Sequence, residues 1–342
     1  MSKIKIAVVG ASGYSGEELV RLLLRHPACE IRIITSRQYA GRKVEEVFPR
    51  FTGQELVFSN PTVAEIASEC DAAFLALPHG LAAEFAQPLL EKGIKVLDLS
   101  ADFRIRNADT YKEYYKADHP APKLLKDAIY GLPEIYRNEI AGANFIACPG
   151  CYPTSIILPL YPLLREKLIS TRDIVVASMS GVTGAGRKVD LPYIFPECNE
   201  SLRSYSPTGH RHLPEIEQEL AVAAGVPELK INFVPHLVPM NRGINSTIVA
   251  PAGKDLSENT AEETYSKYYS GEKFVRVLPK GRMADTKFVT MSNVCEIGFA
   301  CDPHTGKLVI SSCIDNLTKG AAGQAIQCLN IIYKLDESLG LS

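Results

Sequence analysis

Short apolar segments alternate with helical patterns along the first 150 residues of the chain. Ile4 to Val9 is a nearly continuous β-branched run, and the segments 72–77 and 95–99 are similarly apolar. Runs of this kind are typical of strands that are buried on both faces of a parallel sheet. Two more apolar segments, at 31–35 and 144–147, continue the series. The pattern therefore predicts an α/β domain of the Rossmann type.

The pattern changes after a predicted helix at 155–168. Strands then dominate, and they are predicted at 174–179, 231–235, 244–250, 274–278 and 307–314. Such a sequence predicts an α+β domain with a mixed or largely antiparallel sheet. A helical pattern at 315–333 is expected to pack on the first domain. We therefore predict a first domain of residues 1–150 plus 315–342 and a second domain of residues 151–314.

Composition narrows the class of protein. Of the 342 residues, 46% are hydrophobic and 22% are charged, and the formal net charge is −2. No basic region suggests a nucleic-acid partner, and no apolar run approaches the roughly 20 residues that a membrane-spanning helix requires. Nine scattered cysteines, an odd number, argue for a reducing compartment. The first residues lack the apolar segment of a signal peptide, so we expect a cytoplasmic protein without a membrane partner.

The first strand runs directly into a glycine-rich turn and then into a helical pattern from Glu17 to Leu24. Glycines allow the backbone to approach a pyrophosphate closely, and the helix N-terminus supplies amide donors and a dipole. The spacing is Gly-x-x-Gly-x-x-Gly rather than Gly-x-Gly-x-x-Gly, so the flanking strand and helix give the motif its weight. We predict that the turn binds a dinucleotide through Gly10, Ser12, Gly13, Tyr14, Ser15 and Gly16.

The second strand ends at Ser36-Arg37. An NAD-specific site usually has Asp or Glu at this place to bind the ribose 2′-hydroxyl, whereas a hydroxyl and a guanidinium suit a 2′-phosphate. We therefore expect NADP. Because ligands of such sheets bind at the carboxyl ends of the strands, the loops 78–80 and 100–104 should line the cofactor site. Pro78 belongs to the first of these loops.

Cys151 follows Pro149-Gly150 and precedes an apolar helical pattern. A thiol at a helix N-terminus faces the positive end of the dipole, which favours the nucleophilic thiolate. Two structural alternatives remain: an inert buried cysteine, or a redox pair or half of a zinc site made with Cys148. A thiolate beside a nicotinamide would carry out oxidation or reduction at the acyl level through a thioester.

Thioester chemistry needs an acid–base group, and the segment His210-Arg211-His212-Leu213-Pro214-Glu215 is the obvious source. It precedes a predicted helix in which Pro214 suits the first position. A structural or zinc-binding cluster is the alternative for the two histidines, although a third convincing ligand is missing. Arg104 is a candidate to bind an anionic substrate, as are Arg211 and Lys188.

Taken together, these motifs resemble the N-acetyl-γ-glutamyl-phosphate reductase family of arginine biosynthesis, within the aspartate-semialdehyde dehydrogenase-like superfamily. The resemblance extends over essentially the whole chain. It rests on the segments Gly10–Gly16, Ser36-Arg37, Leu77–Gly80, Asp98–Arg104, Tyr130–Glu134, Pro149–Thr154, Ser180–Lys188, His210–Glu215, Pro235–Gly243 and Asp315–Gly320. One departure is that Cys148 occupies a position where the family usually has Asn.

The resemblance implies reduction of N-acetyl-L-glutamyl 5-phosphate by NADPH to the 5-semialdehyde and phosphate. It implies that Cys151 attacks the acyl phosphate and that His212, or alternatively His210, moves the protons. It further implies that Asn316 contacts the nicotinamide. The expected substrate-binding residues are Arg104, Ser180, Gly184, His210 and Arg211, with Gly184 and Gly186 at the phosphate end. Family members are homo-oligomers, so we expect a homodimer or homotetramer and no metal.

Two other functions compete with this interpretation. A related enzyme acting on a different acyl phosphate, such as an aspartate-semialdehyde or aminoadipate-semialdehyde dehydrogenase, would share the same motifs. An NADP-sensing regulator would bind the dinucleotide without needing Cys151 or the paired histidines. Such a regulator usually carries a partner-binding module, and the sequence shows none.

Overall fold

The computed structural model describes residues 2–341. The chain forms two units, and the second one is inserted into the first. The first unit comprises Met1–Lys112, Ala117–Pro149 and Ala321–Ser342, and the second comprises Glu113–Lys116 and Gly150–Gly320. Within residues 2–341, no helix is both long and apolar enough to cross a membrane.

The first unit is organised around a seven-stranded sheet in which every strand pair is parallel. Its strands are β1 (Ile4–Val9), β2 (Cys29–Thr35), β3 (Phe58–Ser59), β4 (Ala72–Leu75), β5 (Lys95–Asp98), β6 (Ile129–Tyr130) and β7 (Phe145–Ala147). The order across the sheet is β3-β2-β1-β4-β5-β7-β6. The chain therefore reverses direction across the sheet between β1 and β4, which is where open α/β sheets bind their ligands.

Helices complete the first unit. They are α1 (Tyr14–Leu23), α2 (Val44–Val47), α3 (Val63–Glu69), α4 (Ala83–Glu91), α5 (Ala108–Tyr115) and α6 (Pro133–Ala141), and the last helix of the chain, Gly323–Ile332, belongs here too. The end of α5, from Glu113 onward, is assigned to the second unit. The four residues of β4 are fully buried, as expected for a strand covered on both sides. α1 begins at Tyr14, three residues before the predicted start, because Gly13 is its N-cap.

The second unit contains a mixed seven-stranded sheet. Its strands are β8 (Val175–Ser180), β9 (Arg203–Ser204), β10 (Asn232–Leu237), β11 (Ile244–Pro251), β12 (Val275–Val277), β13 (Cys295–Asp302) and β14 (Lys307–Ile314). The order is β12-β13-β14-β11-β8-β10-β9. Two of the pairs are parallel, β8 with β10 and β12 with β13, and the other pairs are antiparallel. Burial alternates residue by residue along β11, so one face of this strand is covered more fully than the other.

Four helices belong to the second unit: α7 (Cys151–Arg165), α8 (Phe195–Cys198), α9 (Leu213–Ala224) and α10 (Glu258–Tyr269). The predicted helical tail is divided in the structure. It begins as a π-helix at Thr318–Ala322, in which the amide of Gly320 donates to the carbonyl of Asp315 at 3.0 Å, and continues as α11 (Gly323–Ile332). Single π-turns of this kind occur mostly within helices and often at functional sites.

The predicted fold class is confirmed, with a Rossmann-type parallel sheet followed by a mixed sheet. The prediction missed β13, although three of its residues pair with β12 and seven pair with β14. Glu296 and Gly298 interrupt the apolar pattern of this segment, so the sequence did not indicate a strand there. Gly298 is needed because a Cβ there would lie 2.4 Å from the carbonyl oxygen of Arg282. α7 also begins four residues earlier than predicted, at Cys151 itself.

Candidate functional site

The three glycines of the turn after β1 differ in whether the structure requires glycine at their positions. Gly10 has φ +89°, and a Cβ there would lie 2.4 Å from the carbonyl oxygen of Ala76. A Cβ on Gly16 would lie 2.3 Å from the carbonyl oxygen of Gly10. Gly13, the N-cap of α1, has an ordinary φ of −76°, and the nearest atom to its Cβ position is 3.7 Å away. Gly10 and Gly16 are therefore required by packing, whereas a Cβ on Gly13 would make only an ordinary van der Waals contact.

The turn is attached to the end of β2. The amide of Gly10 donates to the Thr35 hydroxyl at 3.0 Å, and the hydroxyls of Ser12 and Ser36 lie 3.0 Å apart. The turn and the predicted 2′-phosphate residues thus belong to one local structure. Arg37 is 73% exposed, and its guanidinium lies 3.8 Å from the Glu84 carboxylate. A pair so exposed is worth little, so Arg37 remains available to a ligand.

Arg104 lies at the carboxyl ends of β5 and β7. Its Nε donates to the carbonyl of Cys148 and its Nη2 to the carbonyl of Leu99, each at 2.7 Å. Arg104 is only 8% exposed. Its two hydrogen bonds connect the main-chain segments that follow the adjacent strands β5 and β7. The predicted contact with an anionic substrate stays a prediction.

Cys151 is the first residue of α7, and Gly150 is the N-cap, with φ −68° and ψ 159°. No side chain caps this helix start. Gly320, in the π-helix, packs directly on the cysteine, since a Cβ on Gly320 would lie 2.8 Å from Cys151 Cβ. The thiol is therefore held at a helix N-terminus, where the dipole favours an anion.

His212 covers the residue that precedes the cysteine. A Cβ on Gly150 would lie 2.6 Å from His212 Nε2 and 2.9 Å from two ring carbons, so only glycine fits beneath this imidazole. The amide of Gly150 donates to Glu215 Oε1 at 2.8 Å. His212 is the N-cap of α9 and Glu215 lies in its first turn. The start of α9 thus provides both an imidazole and a carboxyl group to the start of α7.

His210 lies within a group of aromatic rings. Its ring centroid is 5.4 Å from those of Tyr152 and Phe233 and 5.6 Å from that of Tyr205. Its Nδ1 accepts a hydrogen bond from the amide of His212 at 3.1 Å. Burial, reinforced by the charge of Arg211, lowers the pKa of His210 to about 4. A neutral His210 therefore supports the main chain of His212.

The remaining predicted substrate residues lie in the second unit. Ser180 is the last residue of β8, is buried, and donates to the carbonyl of Gly181 at 3.1 Å. A Cβ on Gly184 would lie 3.2 Å from the Ser180 hydroxyl oxygen, so these two residues are neighbours. Arg211 is exposed, with its guanidinium 5.8 Å from the centre of the Tyr115 ring. Lys188 is exposed and paired with Asp190 at 2.7 Å.

Asn316 follows β14 and is 3% exposed. Its Oδ1 accepts from the amide of Gly243 at 2.7 Å, and its Nδ2 donates to the Thr183 hydroxyl at 3.0 Å. The amide group joins two loops of the second unit. Its predicted contact with the nicotinamide stays a prediction.

One detail of the sequence interpretation was wrong. Pro214 is the second residue of α9 rather than the first, because the helix begins at Leu213. His212 precedes that helix and already has helical backbone angles (φ −81°, ψ −13°). The rings of His210 and His212 lie close, with centroids 5.0 Å apart.

Cys148 differs sharply from Cys151. It is buried, and burial together with nearby Asp98 raises the pKa of its thiol well above the usual range. All nine cysteines are free thiols. A thiol that resists ionisation is a poor partner for thiol–disulfide exchange, so the environment of Cys148 argues against a redox pair. Within residues 2–341, no group of three or more His, Cys, Asp or Glu side chains is arranged to hold a metal ion.

The sequence did not indicate three residues around the thiol: Glu215 as the hydrogen-bond partner of the Gly150 amide, Gly320 as the packing neighbour of Cys151, and Tyr205. The Tyr205 hydroxyl lies 2.9 Å from that of Tyr152. Burial, with a smaller contribution from the charge of Cys151, raises the pKa of Tyr205 to about 12. These residues come from separate segments, and no local pattern connects them.

Family models match most of the chain in two parts. Residues 5–143 match the semialdehyde dehydrogenase NAD-binding domain, and residues 151–316 match the semialdehyde dehydrogenase dimerisation domain. The chain is 49% identical to an N-acetyl-gamma-glutamyl-phosphate reductase from Akkermansia muciniphila, over 100% of this chain and 99% of that protein. It is 48% identical to the reductase of the same name from Moorella thermoacetica, over 99% and 98%.

Solved structures with a similar fold are more distant in sequence. Aspartate semialdehyde dehydrogenase II from Vibrio cholerae is 18% identical, with a TM-score of 0.74 over 98% of this chain and 99% of that one. Aspartate semialdehyde dehydrogenase with NADP from Candida albicans is 19% identical, with a TM-score of 0.69 over 97% and 99%. At these identities the likeness supports the fold alone.

Proposed function

The chain belongs to the N-acetyl-gamma-glutamyl-phosphate reductases, and from this membership we propose that it reduces N-acetyl-L-glutamyl 5-phosphate with NADPH. The products are N-acetyl-L-glutamate 5-semialdehyde and phosphate, and the pathway is arginine biosynthesis. Identity of 47–49% over the whole chain to eight reductases of this name favours this substrate over aspartyl or aminoadipyl phosphates.

One observation carries the catalytic part of the proposal: Cys151 opens α7 while the His212 imidazole lies on Gly150 beside it. Cys151 attacks the acyl carbon and expels phosphate, which leaves a thioester. His212 then supplies the proton for the oxygen of the thiohemiacetal, or removes it as the aldehyde forms. Glu215 keeps Gly150 in place and His210, neutral at pH 7, holds the main chain of His212.

The glycine turn of the first unit fits the dinucleotide. Gly13 places no side chain at the N-terminus of the ten-residue α1, where amide donors and the dipole suit a pyrophosphate. Gly10, Ser12, Tyr14, Ser15 and Gly16 make up the rest of this binding loop. The cofactor supplies the hydride that reduces the thioester.

The preference for NADP over NAD rests on Ser36 and Arg37. Ser36 is buried and shares a hydrogen bond with Ser12 of the turn, while the Arg37 side chain is 73% exposed. A hydroxyl donor and a positive charge at the end of β2 are what a ribose 2′-phosphate requires.

We further propose a homodimer or homotetramer in a reducing compartment such as the cytoplasm. Large apolar side chains are exposed in the second unit, among them Val189 at 91%, Phe195 at 76% and Phe288 at 64%. Contiguous exposed apolar surface marks interaction sites, and Val189, Leu191, Ile194 and Phe195 are all exposed within one short segment of the chain. Nine free cysteines suit a reducing compartment. Sedimentation equilibrium of native protein and of Phe195→Glu tests the assembly, which the variant should weaken.

The proposed reaction is tested most simply in reverse. The native protein is mixed with NADP⁺, phosphate and either N-acetylglutamate semialdehyde or aspartate semialdehyde. Formation of NADPH is followed by its absorbance at about 340 nm. We expect phosphate-dependent reduction with the acetylated substrate and far slower reduction with the other. Equal rates, or a higher rate with aspartate semialdehyde, would refute the proposed substrate.

A further inference from the structure

Asp102 is a fully buried carboxyl group in the loop after β5. Its Oδ1 accepts from the amide of Gly80 at 2.7 Å, and its Oδ2 accepts from the amide of Ala82 at 3.2 Å. The hydroxyl of Tyr111 donates to Oδ1 at 3.1 Å. Three donors therefore converge on one carboxyl group, and two of them are main-chain amides of the loop that connects β4 to α4.

That loop stands at the reversal of strand order in the first sheet. β1 and β4 are neighbours there, and the glycine turn follows β1 while residues 76–82 follow β4. The two connections touch, because the Cβ position of Gly10 lies 2.4 Å from the carbonyl oxygen of Ala76. The conformation of the β4–α4 loop therefore shapes one wall of the crevice in which such sheets bind dinucleotides.

Asp102 is itself held on both sides. Its amide donates to the Ser100 hydroxyl at 3.1 Å, and its carbonyl accepts from His119 Nε2 at 2.5 Å. His119 Nδ1 in turn accepts from the amide of Ala121 at 3.0 Å, so the ring is the neutral Nε2–H tautomer. Burial lowers the pKa of His119, which keeps the ring neutral at pH 7.

We propose that Asp102 is a positioning residue for the dinucleotide, acting through the amides of Gly80 and Ala82. This inference rests on the proposed function, since it assigns the crevice to NADPH. Gly80 has φ +85° and no atom within 4 Å of its Cβ position, so it is not packed against other residues. The carboxyl group of Asp102 supplies the fixed partner that this part of the loop needs in order to keep one conformation.

The test compares Asp102→Asn with two control variants and with a second substitution of Asp102. An amide group has one acceptor oxygen, so it cannot replace the carboxyl group as acceptor for both loop amides. Ile140→Ala creates a cavity at a fully buried residue of α6 and so controls for an effect of lost stability on NADPH binding. Tyr111→Phe removes the hydroxyl donor and keeps both loop bonds. Asp102→Ser is the second substitution, in case Asp102→Asn does not fold.

NADPH binding is measured by fluorescence titration, and exchange of the Gly80 and Ala82 amides is measured by hydrogen–deuterium exchange. We expect Asp102→Asn to raise the Kd for NADPH by at least about tenfold, as for loss of a charge-assisted hydrogen bond. Both amides should exchange faster. Ile140→Ala and Tyr111→Phe should bind NADPH like native protein.

A native Kd in both Asp102 variants, or the same increase in Ile140→Ala, would overturn the inference. Because binding is measured without any acyl phosphate, the result does not depend on which substrate is reduced. A native protein that binds NADPH but turns over no acetylated substrate would instead refute the proposed function while the effect of Asp102 on the Kd still supports the inference.

Discussion

Two helix starts in this protein have the same local design and different surroundings. α1 follows β1 with Gly13 as its N-cap, and α7 follows β7 with Gly150 as its N-cap. Neither glycine provides a side-chain cap, and both have ordinary extended backbone angles. At Gly13 a Cβ would make only an ordinary van der Waals contact, 3.7 Å from the carbonyl oxygen of Gly10, whereas at Gly150 the Cβ position is filled by the imidazole of His212.

The difference shows how one local motif serves two kinds of chemistry. An open helix start offers its amides and its dipole to a bound anion, as a dinucleotide phosphate requires. A helix start covered by an imidazole keeps those features for the residue next to the cap, which is Cys151. In the second case the glycine makes room for a neighbouring side chain rather than for a ligand.

Among the variants that keep Cys151, the largest effect should come from His212→Asn. Removing the imidazole leaves the thiol at its helix start but takes away the proton donor and acceptor, and such groups are typically worth about 10²–10⁴-fold in rate. Turnover with the acyl phosphate is measured alongside the NADPH Kd, which should not change. The exposed His304→Asn is the matched control. A variant that keeps native turnover would exclude His212 from the reaction.

Exchanging the glycine caps for alanine tests the comparison itself. Gly150→Ala pushes a methyl group against the imidazole of His212 and should displace it. We expect kcat to fall by about 10²-fold, which is the lower end of the loss caused by removing an acid–base group. Gly13→Ala should leave kcat at saturation near native and raise the Kd for NADPH. Gly142→Ala, where no atom lies within 4 Å of the Cβ position, is the control. If the two effects were reversed, the two helix starts would have been assigned to the wrong ligands.

A smaller effect is expected at the end of β2. Arg37→Asp removes a positive charge from the 2′-phosphate and places a carboxylate where an NAD site has one. The ratio of kcat/KM for NADPH to that for NADH should fall by about 10–100-fold, in line with loss of a charge-assisted contact. Arg25→Asp makes the same change in charge at another exposed position. Equal values of kcat/KM for NADPH and NADH in the native enzyme would contradict the assignment of Arg37 to the 2′-phosphate.

The smallest effect concerns stability against pH. Burial lowers the pKa of His210 from 6.5 to about 4, so between these values the unfolded chain binds a proton that the folded protein does not. The free energy of unfolding should therefore fall as the pH drops from about 6.5 to 4, by on the order of 2 kcal/mol from this residue. Burial lowers the pKa of His26 and His119 as well, so part of the slope will remain without His210.

Urea unfolding of native protein and of His210→Phe at several pH values between 7.5 and 4 measures this contribution. The variant should lose less stability on acidification than the native protein. Parallel curves would mean that His210 is protonated in the folded state and so cannot hold the His212 amide through Nδ1.

The sequence predicted the first unit better than the surroundings of the thiol. Strand, glycine turn and helix are contiguous in the chain, so the local pattern alone indicated the dinucleotide loop from Gly10 to Gly16. It did not distinguish the glycines, because only packing shows that a Cβ would clash at Gly10 and Gly16 but not at Gly13.

The site around Cys151 could be predicted only in part. A cysteine after Pro-Gly and before an apolar helix indicated a thiol at a helix start, and the histidine pair indicated an acid–base group. His212 lies on Gly150 and Gly320 touches the cysteine only because the fold brings together residues that are 62 and 169 positions apart in the printed sequence. No local sequence pattern indicates contacts between residues so far apart. The buried place of Arg104 was missed for the same reason.

The central claim is that Cys151 forms the thioester. Native protein and Cys151→Ser are each mixed with N-acetyl-L-glutamyl 5-phosphate in the absence of NADPH, and the products are examined by intact-protein and peptide mass spectrometry. The account predicts one acyl group per chain on Cys151 of the native protein and none on the variant, which should still bind NADPH. An acyl group on Cys148 or any other cysteine of the native protein, or one that persists in Cys151→Ser, would contradict it.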